Sequence, residues 1–387
     1  MLKLNAMLTP LILLILFIKR SIYISLVVVM TQGLASCDSR SKQMQGFVQH
    51  FEKLETERQD TVRSEGLVNT FRTSGQFHIA DVVWCGNNKT LVSSGGTDTS
   101  VFMWDAQSGK ILYTLDRAAG SRAIACSKNG HFVASGNSDK EQTAAIRVWD
   151  VSKSGAASNI AGPFLPFEGQ NDSFAKFLIF NWDNSRLYAH YENRKHEHRL
   201  VAYEVPSWKT ISDFAQSGRL VTKPALSTQG QLYAYGLGSR DAAVIVVINA
   251  LNGAEKIRFR TEKLRPHVLV FGRDTKTIFV GGQRLYNGSH QGMPEQVVEE
   301  YSLEDGRLLR SIVTGHLDQL SAMALRQDSS LLITASIDKT VELHDSESGS
   351  LVAILGDKTN QIYSIDIRPD GKQFVSAGGV INIWSLQ

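Results

Sequence analysis

The chain has 387 residues, of which 42% are hydrophobic, 20% charged and 9% aromatic. This composition excludes a disordered chain, a collagen-like chain and a membrane protein with many spans. Lys and Arg number 41 against 38 Asp and Glu, and Lys3, Lys19 and Arg20 lie in a 36-residue N-terminal stretch that contains no acid. Because the rest of the chain is neutral, we do not expect a nucleic-acid partner.

Two apolar runs, residues 7–18 and 22–31, open the chain, and Lys19-Arg20 separates them. Each run is shorter than the roughly 20 apolar residues of an ordinary bilayer-spanning helix. The second run has the basic flank and the length of a secretory signal sequence. The first run makes the leader long, so a translation start near Ile18 is one alternative.

The motif Leu34-Ala35-Ser36-Cys37 follows the second run and resembles the lipobox of bacterial lipoproteins. In that motif, small residues enter a peptidase cleft at the membrane and the cysteine thiol accepts lipid. The resemblance implies that residues 1–36 are removed and that acyl chains on Cys37 anchor the protein, each buried methylene contributing about 0.8 kcal/mol. An uncleaved signal anchor with an incidental cysteine is the alternative.

Residues 37–64 are strongly polar, so we expect a tether that holds the rest of the chain away from the membrane. Phe47, Phe51 and Leu54 lie at helical spacing, which leaves a short amphipathic helix as an alternative. The anchored protein would face the periplasm or the exterior. Asp38 after the cysteine resembles the sequence of enteric lipoproteins that stay in the inner membrane.

From residue 65 to residue 387 one pattern of three strands and polar turns repeats seven times. Within each strand apolar and polar residues alternate, as in half-buried antiparallel strands. The third strand of each unit ends on an aromatic residue or a substitute, at intervals of 40 to 54 residues: Trp104, Trp149, Tyr203, Ile248, Tyr301, His344 and Trp384. This interval is typical of propeller blades, so the pattern predicts an all-β, seven-bladed propeller with four-stranded antiparallel blades.

The repeat resembles the WD-repeat β-propeller family. The matching residues are Trp104-Asp105, Trp149-Asp150 and Gly315-His316 for its dipeptides, Asp98, Asp139 and Asp338 for its turn aspartate, and Ser94, Ser135, Thr334 and Ser376 for its strand hydroxyl. The resemblance implies that these side chains form a buried hydrogen-bonded network within each blade. Blades 3 to 5 keep almost none of them, which leaves open a quinoprotein-like propeller of the same shape.

The last unit stops after its third strand. Residues 65–71 have the pattern of the fourth strands at 109–115 and 306–312. The sequence therefore predicts that this N-terminal strand completes the last blade and removes the open sheet edges.

No catalytic motif is present, so we expect a protein without enzymatic activity and without a cofactor. Cys85 and Cys126 end the first strands of blades 1 and 2 and are interpreted as buried, unreactive thiols. His190, His196 and His198 have a spacing that could chelate a metal ion. The adjacent Arg194-Lys195 pair would repel a cation, so we favour a solvated hairpin tip and expect no metal.

Insertions mark the expected binding surface. They lie at 137–145, 160–173, 191–199 and 283–297, which all reach one face of a propeller, and loops on a rigid scaffold commonly bind partners. The blade 5 insertion mixes Arg, Tyr, His and Met, a composition that resembles that of protein interfaces. Sequence drift in unconstrained loops is the alternative. The candidate contact residues are Phe164, Phe167, Tyr191, His196, His198, Arg284, Tyr286, His290 and Met293.

These features predict a non-enzymatic, lipid-tethered propeller that serves as a protein-binding scaffold in the bacterial envelope. A propeller that binds a small ligand or cofactor in its channel, or acts as a weak envelope enzyme, is the first alternative. A cytoplasmic scaffold with residues 1–37 as an uncleaved anchor is the second.

Overall fold

The computed structural model describes residues 61–386, with gaps at 73–77, 96–100, 117–122, 137–145, 153–157, 165–172, 194, 240–241, 285–294, 329, 357 and 359. The chain divides into two compact units, Met1–Val62 and Arg63–Gln387. Among the described residues of the second unit, 28 strands form seven four-stranded antiparallel sheets, which confirms the predicted all-β, seven-bladed propeller. In the described residues no helix is long and apolar enough to cross a bilayer.

Each blade is given from its innermost to its outermost strand. Blades 1 to 3 are β2 (Ile79–Trp84), β3 (Thr90–Gly95), β4 (Val101–Asp105) and β5 (Ile111–Asp116); β6 (Ala123–Cys126), β7 (Phe132–Gly136), β8 (Ile146–Asp150) and β9 (Ser158–Phe164); and β10 (Ser173–Phe180), β11 (Arg186–Asn193), β12 (Glu197–Glu204) and β13 (Thr210–Ser217). Blades 4 and 5 are β14 (Ala225–Leu226), β15 (Leu232–Ser239), β16 (Ala242–Asn249) and β17 (Glu255–Arg260); and β18 (Leu264–Phe271), β19 (Thr277–Arg284), β20 (Gln296–Ser302) and β21 (Leu308–Val313). Blades 6 and 7 are β22 (Leu320–Leu325), β23 (Leu331–Ser336), β24 (Val341–Asp345) and β25 (Leu351–Leu355); and β26 (Ile362–Ile367), β27 (Gln373–Gly378), β28 (Ile381–Ser385) and β1 (Leu67–Phe71).

The apolar core is divided among the interfaces between blades. Seven hydrophobic clusters are present, and each joins two neighbouring sheets, including blades 7 and 1. Each sheet buries one face against each of its two neighbours, so no apolar face is left uncovered once the stack closes into a ring. The upper face is defined here as the side where the innermost strands begin and the second strands end; the opposite side is the lower face.

The N-terminal strand closes this ring. β1 pairs antiparallel with β28, with Leu67 opposite Trp384 and Phe71 opposite Ile381. Phe71 is buried and its ring stacks on Trp104 of blade 1 at 6.0 Å between centroids. The prediction that an N-terminal strand completes blade 7 is therefore confirmed.

The tryptophans that end the third strands are held by buried hydroxyls. Nε1 of Trp104 donates to Oγ of Ser93 at 2.8 Å, and Nε1 of Trp384 donates to Oγ of Ser376 at 2.9 Å. Trp104 lies opposite Leu91 on β3, so the residue two positions further, Ser93, shares its face. The assignment of Ser94 to this network is corrected: Ser94 faces the other side of the strand, and its buried hydroxyl has no hydrogen-bond partner within the part of the chain that the structure describes.

Ser135 occupies in blade 2 the register position of Ser93, and both Ser135 and Trp149 are buried. In blade 6 the ring of His316 lies between the hydroxyls of Thr334, at 2.9 Å, and Thr340, at 3.0 Å. The carboxylate of Asp338 accepts the Leu317 N–H at 2.8 Å. Asp98 and Asp139 lie outside the described residues.

A disulfide joins blades 1 and 2. Cys85 and Cys126 are bonded, with their Cα atoms 5.1 Å apart, so their interpretation as free thiols is wrong. They end the first strands of adjacent blades, where the two lower turns meet closely. A Cβ on Gly86 would lie 1.4 Å from the carbonyl oxygen of Lys128, so only glycine permits this approach.

Candidate binding surface on the upper face

In the described residues, the strands of blades 3 to 5 extend further on the upper face than those of blades 1, 6 and 7. Most of their first, second and third strands have seven or eight residues, whereas those of blades 1, 6 and 7 have five or six. The first two strands of blades 1 and 3 pair alike at the lower turn, Trp84 with Leu91 and Phe180 with Leu187, so the extra residues extend upward. At about 3.3 Å per residue the added height is about 7 Å. The insertion at 191–199 therefore lengthens two strands and does not form a loop. The equal lengthening of the second and third strands of blade 4 was not predicted.

Extended strands turn alternate side chains inward, and this corrects two candidate contact residues. Tyr191 and His198 are both buried. Tyr191 packs between blades 2 and 3, and its hydroxyl lies 2.9 Å from that of Tyr203. Burial, followed by the neighbouring Tyr203, raises the pKa of Tyr191. Neither residue is available to a partner.

His198 belongs instead to a buried group between blades 3 and 4. Nε2 of His190 lies 3.0 Å from Nδ1 of His198, and Nδ1 of His190 lies 2.9 Å from the Tyr233 hydroxyl. Burial, reinforced by the positive charges that His198 and Lys176 can carry, lowers the pKa of His190 to about 3, and burial also lowers the pKa of His198. Both rings are therefore neutral near pH 7.

His196 lies apart from these two rings, at the tip of the blade 3 hairpin, with its side chain half-exposed. Its Nδ1 is 3.2 Å from Oε1 of Glu192, and Nζ of Lys176 is 3.2 Å from Oε2 of the same carboxylate. Of the three histidines considered for a metal, His196 therefore lies apart from the buried pair His190 and His198. Among the described residues no group of three or more His, Cys, Asp or Glu side chains is placed to hold a metal ion. His196 stays available as a contact residue.

Arg284 lies at the root of the blade 5 hairpin and anchors it. Its guanidinium is 2.7 Å from Oε2 of Glu295 and 3.6 Å from Oε1 of Glu299. The Tyr301 hydroxyl donates to Glu299; burial and this carboxylate raise the pKa of Tyr301. Arg284 therefore positions the hairpin. Phe164 ends β9 opposite Ile146, while Phe167, Tyr286, His290 and Met293 lie outside the described residues.

Beside the tall blades, a cavity of about 220 Å³ opens near the axis of the ring. Arg219, Leu220 and Val221, which precede blade 4, and Gln319, which precedes blade 6, line it together with Pro266 and His267 of β18 in blade 5. An isolated bridge between Leu220 and Leu237 ties the segment before blade 4 to that blade. Sequence reasoning missed this cavity because its lining comes from three blades that are separate in the sequence.

One side chain crosses the ring near this cavity. Nζ of Lys223, which precedes β14 of blade 4, donates to the carbonyl oxygen of Tyr363 in β26 of blade 7 at 2.9 Å. Blades 4 and 7 are not neighbours, so the lysine spans the central channel. Asp81 of blade 1 accepts a hydrogen bond from the Ser364 hydroxyl at 2.6 Å and is the charge partner of Lys223. Burial raises the pKa of Asp81, and Lys223 opposes that shift.

A second carboxyl group lies in the channel. Asp366, near the lower end of β26, accepts the Trp84 N–H of blade 1 at 2.7 Å. Protein surrounds most of the Asp366 side chain, and water contacts the rest of it. This burial raises the pKa of Asp366 to about 6, and the positive charge of Lys128 opposes the shift. Polar contacts thus tie blades 7, 1 and 4 together around the axis.

Comparison with known proteins shows that two segments of the ring are similar to WD repeats. The family described as "WD domain, G-beta repeat" matches residues 66–105 and 306–345. Small ribosomal subunit protein RACK1z of Oryza sativa subsp. japonica is 28% identical over 102 residues, which is 26% of this chain and 29% of that protein. An uncharacterized WD repeat-containing protein, sll1491, of Synechocystis is 30% identical over 80 residues, 20% of this chain and 23% of that protein.

The chain thus matches less than a third of the length of these relatives. Among solved structures, Kuenenia stuttgartiensis hydrazine synthase superposes with a TM-score of 0.66 at 14% identity, over 81% of this chain and 97% of that chain. At this identity the likeness shows the fold alone. The chain is a seven-bladed β-propeller, and two of its segments, residues 66–105 and 306–345, are similar to WD40 repeats.

Proposed function

We propose that the protein is a bacterial lipoprotein whose propeller binds a protein partner at the cell envelope. Residues 1–36 serve as the export signal, Cys37 carries the lipid, and the polar segment that follows tethers the ring. The tall upper face of blades 3 to 5 contacts the partner. WD40 propellers typically mediate interactions between proteins, which supports the binding role.

The observation that carries the export part is the Cys85–Cys126 disulfide. Disulfides persist in the periplasm and outside the cell, whereas the reducing cytoplasm keeps thiols free. This bond lies within the ring, far along the sequence from the Leu34-Ala35-Ser36-Cys37 motif. Two separate features therefore support the same compartment.

The binding part rests on rigidity and shape. Seven interlocked sheets present the upper hairpins on a fixed frame, so little conformational entropy is lost when a partner docks. The cavity of about 220 Å³ is smaller than the roughly 300–1,000 Å³ of most small-molecule sites, and Lys223 crosses the channel beside it. These features argue against a small ligand in the channel, which is the site that the small-ligand alternative uses; absorption spectra and metal analysis of the purified protein would test that alternative.

Labelling with radioactive palmitate, together with intact mass measurement, tests the anchor. The wild-type chain should incorporate palmitate and lose residues 1–36, and Cys37→Ala should do neither. A wild-type chain that keeps its leader and stays unlabelled would contradict the lipoprotein proposal. Cys85→Ser combined with Cys126→Ser is the control, because these cysteines are already bonded and palmitate incorporation should persist.

Photo-crosslinking in intact membranes tests the binding face. A photoreactive residue at His196, on the upper tip of blade 3, should capture a discrete protein. The same residue at Asp183, on the lower turn of the same blade, is the matched control and should not. Identical crosslinks at both positions would remove the upper face as the binding surface.

A further inference from the structure

The outer strands of the blades expose different chemistry around the circumference. In each blade one residue of the outer strand pairs with the next-to-last residue of the third strand. The seven outer-strand positions defined in this way are equivalent. These residues are Ile111, Asn159, Thr210, Glu255, Leu308, Leu351 and Leu67 in blades 1 to 7. The position is aliphatic in blades 5, 6, 7 and 1, which are consecutive in the ring, and polar in blades 2, 3 and 4.

In the same four blades the next residue is also aliphatic, so each presents an exposed pair: Leu308-Leu309, Leu351-Val352, Leu67-Val68 and Ile111-Leu112. Blades 2 and 3 also expose an aliphatic residue at the next position, Ile160 and Ile211, but there it follows a polar residue and forms no pair. Val352 and Val68 are 58% and 54% exposed. We call these eight residues the aliphatic rim. They begin the outer strands, so they lie toward the lower face, opposite the hairpins assigned to partner binding.

The chain enters the ring at the centre of the aliphatic rim. The N–H of Arg63 donates to the carbonyl oxygen of Ile354 in blade 6 at 2.9 Å, and the Ser385 N–H of blade 7 donates to the Gly66 carbonyl oxygen at 2.8 Å. Residues 63–66 therefore lie between blades 6 and 7. A polar tether of the length that separates Cys37 from Arg63 has a root-mean-square span of about 27 Å when flexible, so a lipid on Cys37 would keep this part of the ring close to the bilayer.

We propose that the aliphatic rim rests on the membrane surface to which Cys37 anchors the chain. This inference rests on the proposed lipid tether and adds a fixed orientation to it. The aliphatic rim faces the lipid, and the tall hairpins of blades 3 to 5 face away from it. Because the circumference curves, a flat bilayer touches the pairs of blades 6 and 7 most deeply and those of blades 5 and 1 less.

Apolar contact dominates this interaction. Lys110 and Arg307 directly precede the pairs of blades 1 and 5, and long cationic side chains can reach lipid headgroups. The charge of Arg307 is partly neutralised by Asp305, which lies 3.3 Å away. The charge of Arg63, where the chain enters the ring, is partly neutralised by Glu65 at 4.0 Å. We therefore expect weak dependence on salt and on anionic lipid.

Fluorescence from a probe on single new cysteines tests the orientation. The full chain is reconstituted in vesicles of phosphatidylethanolamine and phosphatidylglycerol, and an environment-sensitive fluorophore is attached to Val352→Cys or Val68→Cys. Ile211→Cys is the matched control, because Ile211 occupies the position of Val352 in blade 3 and is 41% exposed. All three positions are on the surface, where substitutions change stability little.

Quenchers carried on lipid chains should reduce emission at positions 352 and 68 several-fold more than at 211, with and without phosphatidylglycerol. Equal quenching at the three positions, in a chain that floats with the vesicles, overturns the rim contact and leaves the tether standing. Shielding of the probe without lipid, accompanied by dimer formation, would show that a second copy covers the rim and would also overturn it. A chain that does not float with vesicles contradicts both the tether and the rim contact.

Discussion

Nζ of Lys223 lies 2.9 Å from the carbonyl oxygen of Tyr363, and this hydrogen bond joins blades 4 and 7 across the axis of the ring. The other contacts of the ring are mainly between adjacent blades. The same ammonium group is the charge partner of Asp81, whose carboxylate is held by Ser364 of blade 7. A single cation thus stabilises three blades at the point where their innermost strands converge.

Replacing Lys223 with methionine should destabilise the ring while keeping most of the side-chain volume. The Tyr363 carbonyl and the Asp81 carboxylate would lose their cation, and a buried charged contact of this kind contributes about 2–3 kcal/mol. Lys209→Met, at an exposed turn of blade 3, is the control and should change the free energy of unfolding by less than about 0.5 kcal/mol.

Denaturant titration measures both variants. If Asp81 is the coupled partner, Lys223→Met should cost less in an Asp81→Asn background than in the wild type. Equal costs in both backgrounds would mean that the lysine acts through Tyr363 alone.

The stability of the protein should fall in acid partly because of His190. Its pKa is about 3 in the folded chain and about 6.5 when unfolded. A depressed folded pKa favours the folded state above pH 6.5, and this contribution is lost as pH falls toward 3. Linkage gives a loss of about 3 kcal/mol between pH 7 and pH 4.

Unfolding free energies measured across this pH range check the effect. His190→Gln keeps hydrogen-bonding capacity for Tyr233 and His198 but cannot titrate, so its profile should be shallower than that of the wild type. His131→Gln, at an exposed position, is the matched control substitution. Parallel profiles for wild type and His190→Gln would show that the ring of His190 is not excluded from water.

Loss of the Cys85–Cys126 bond should lower the free energy of unfolding. The bond closes a loop with a sequence separation of 41 residues, for which the chain-entropy relation gives about 4 kcal/mol. Denaturation of the double serine variant, compared with wild type before and after reduction, measures the effect. Reduction should destabilise the wild type and leave the variant unchanged; sensitivity of the variant would point to a different cause.

The seven blades and their closure were predictable because they depend on local patterns that repeat. A period-two alternation defines each strand, and residues 65–71 resemble other outer strands closely enough to be recognised. Choosing between Ser93 and Ser94 required strand register. The signal was present, since Ser93 lies two residues beyond the partner of Trp104, as Ser376 lies two beyond the partner of Trp384.

Features that join separate blades were harder to predict. Cys85 and Cys126 end the same strand in successive repeats, and that equivalence was the available indication of a bond. Lys223 gave no such sign, because its contacts depend on the diameter of the closed ring. Tyr191 and His198 were placed on the surface because an insertion was interpreted as a loop, whereas it lengthens two strands and turns these residues inward.

Because β1 pairs with β28, the sheet of blade 7 is the last that can form during synthesis. Six sheets are each made from strands that follow one another, so they can form as the polypeptide emerges. The remaining sheet needs the earliest strand of the ring and the last, which are separated by 312 residues at the Thr70–Asn382 contact. Throughout synthesis and any passage across a membrane, the earliest strand stays unpaired. A polypeptide released before its last strand is made would expose two sheet edges that lack hydrogen-bond partners to neighbouring molecules.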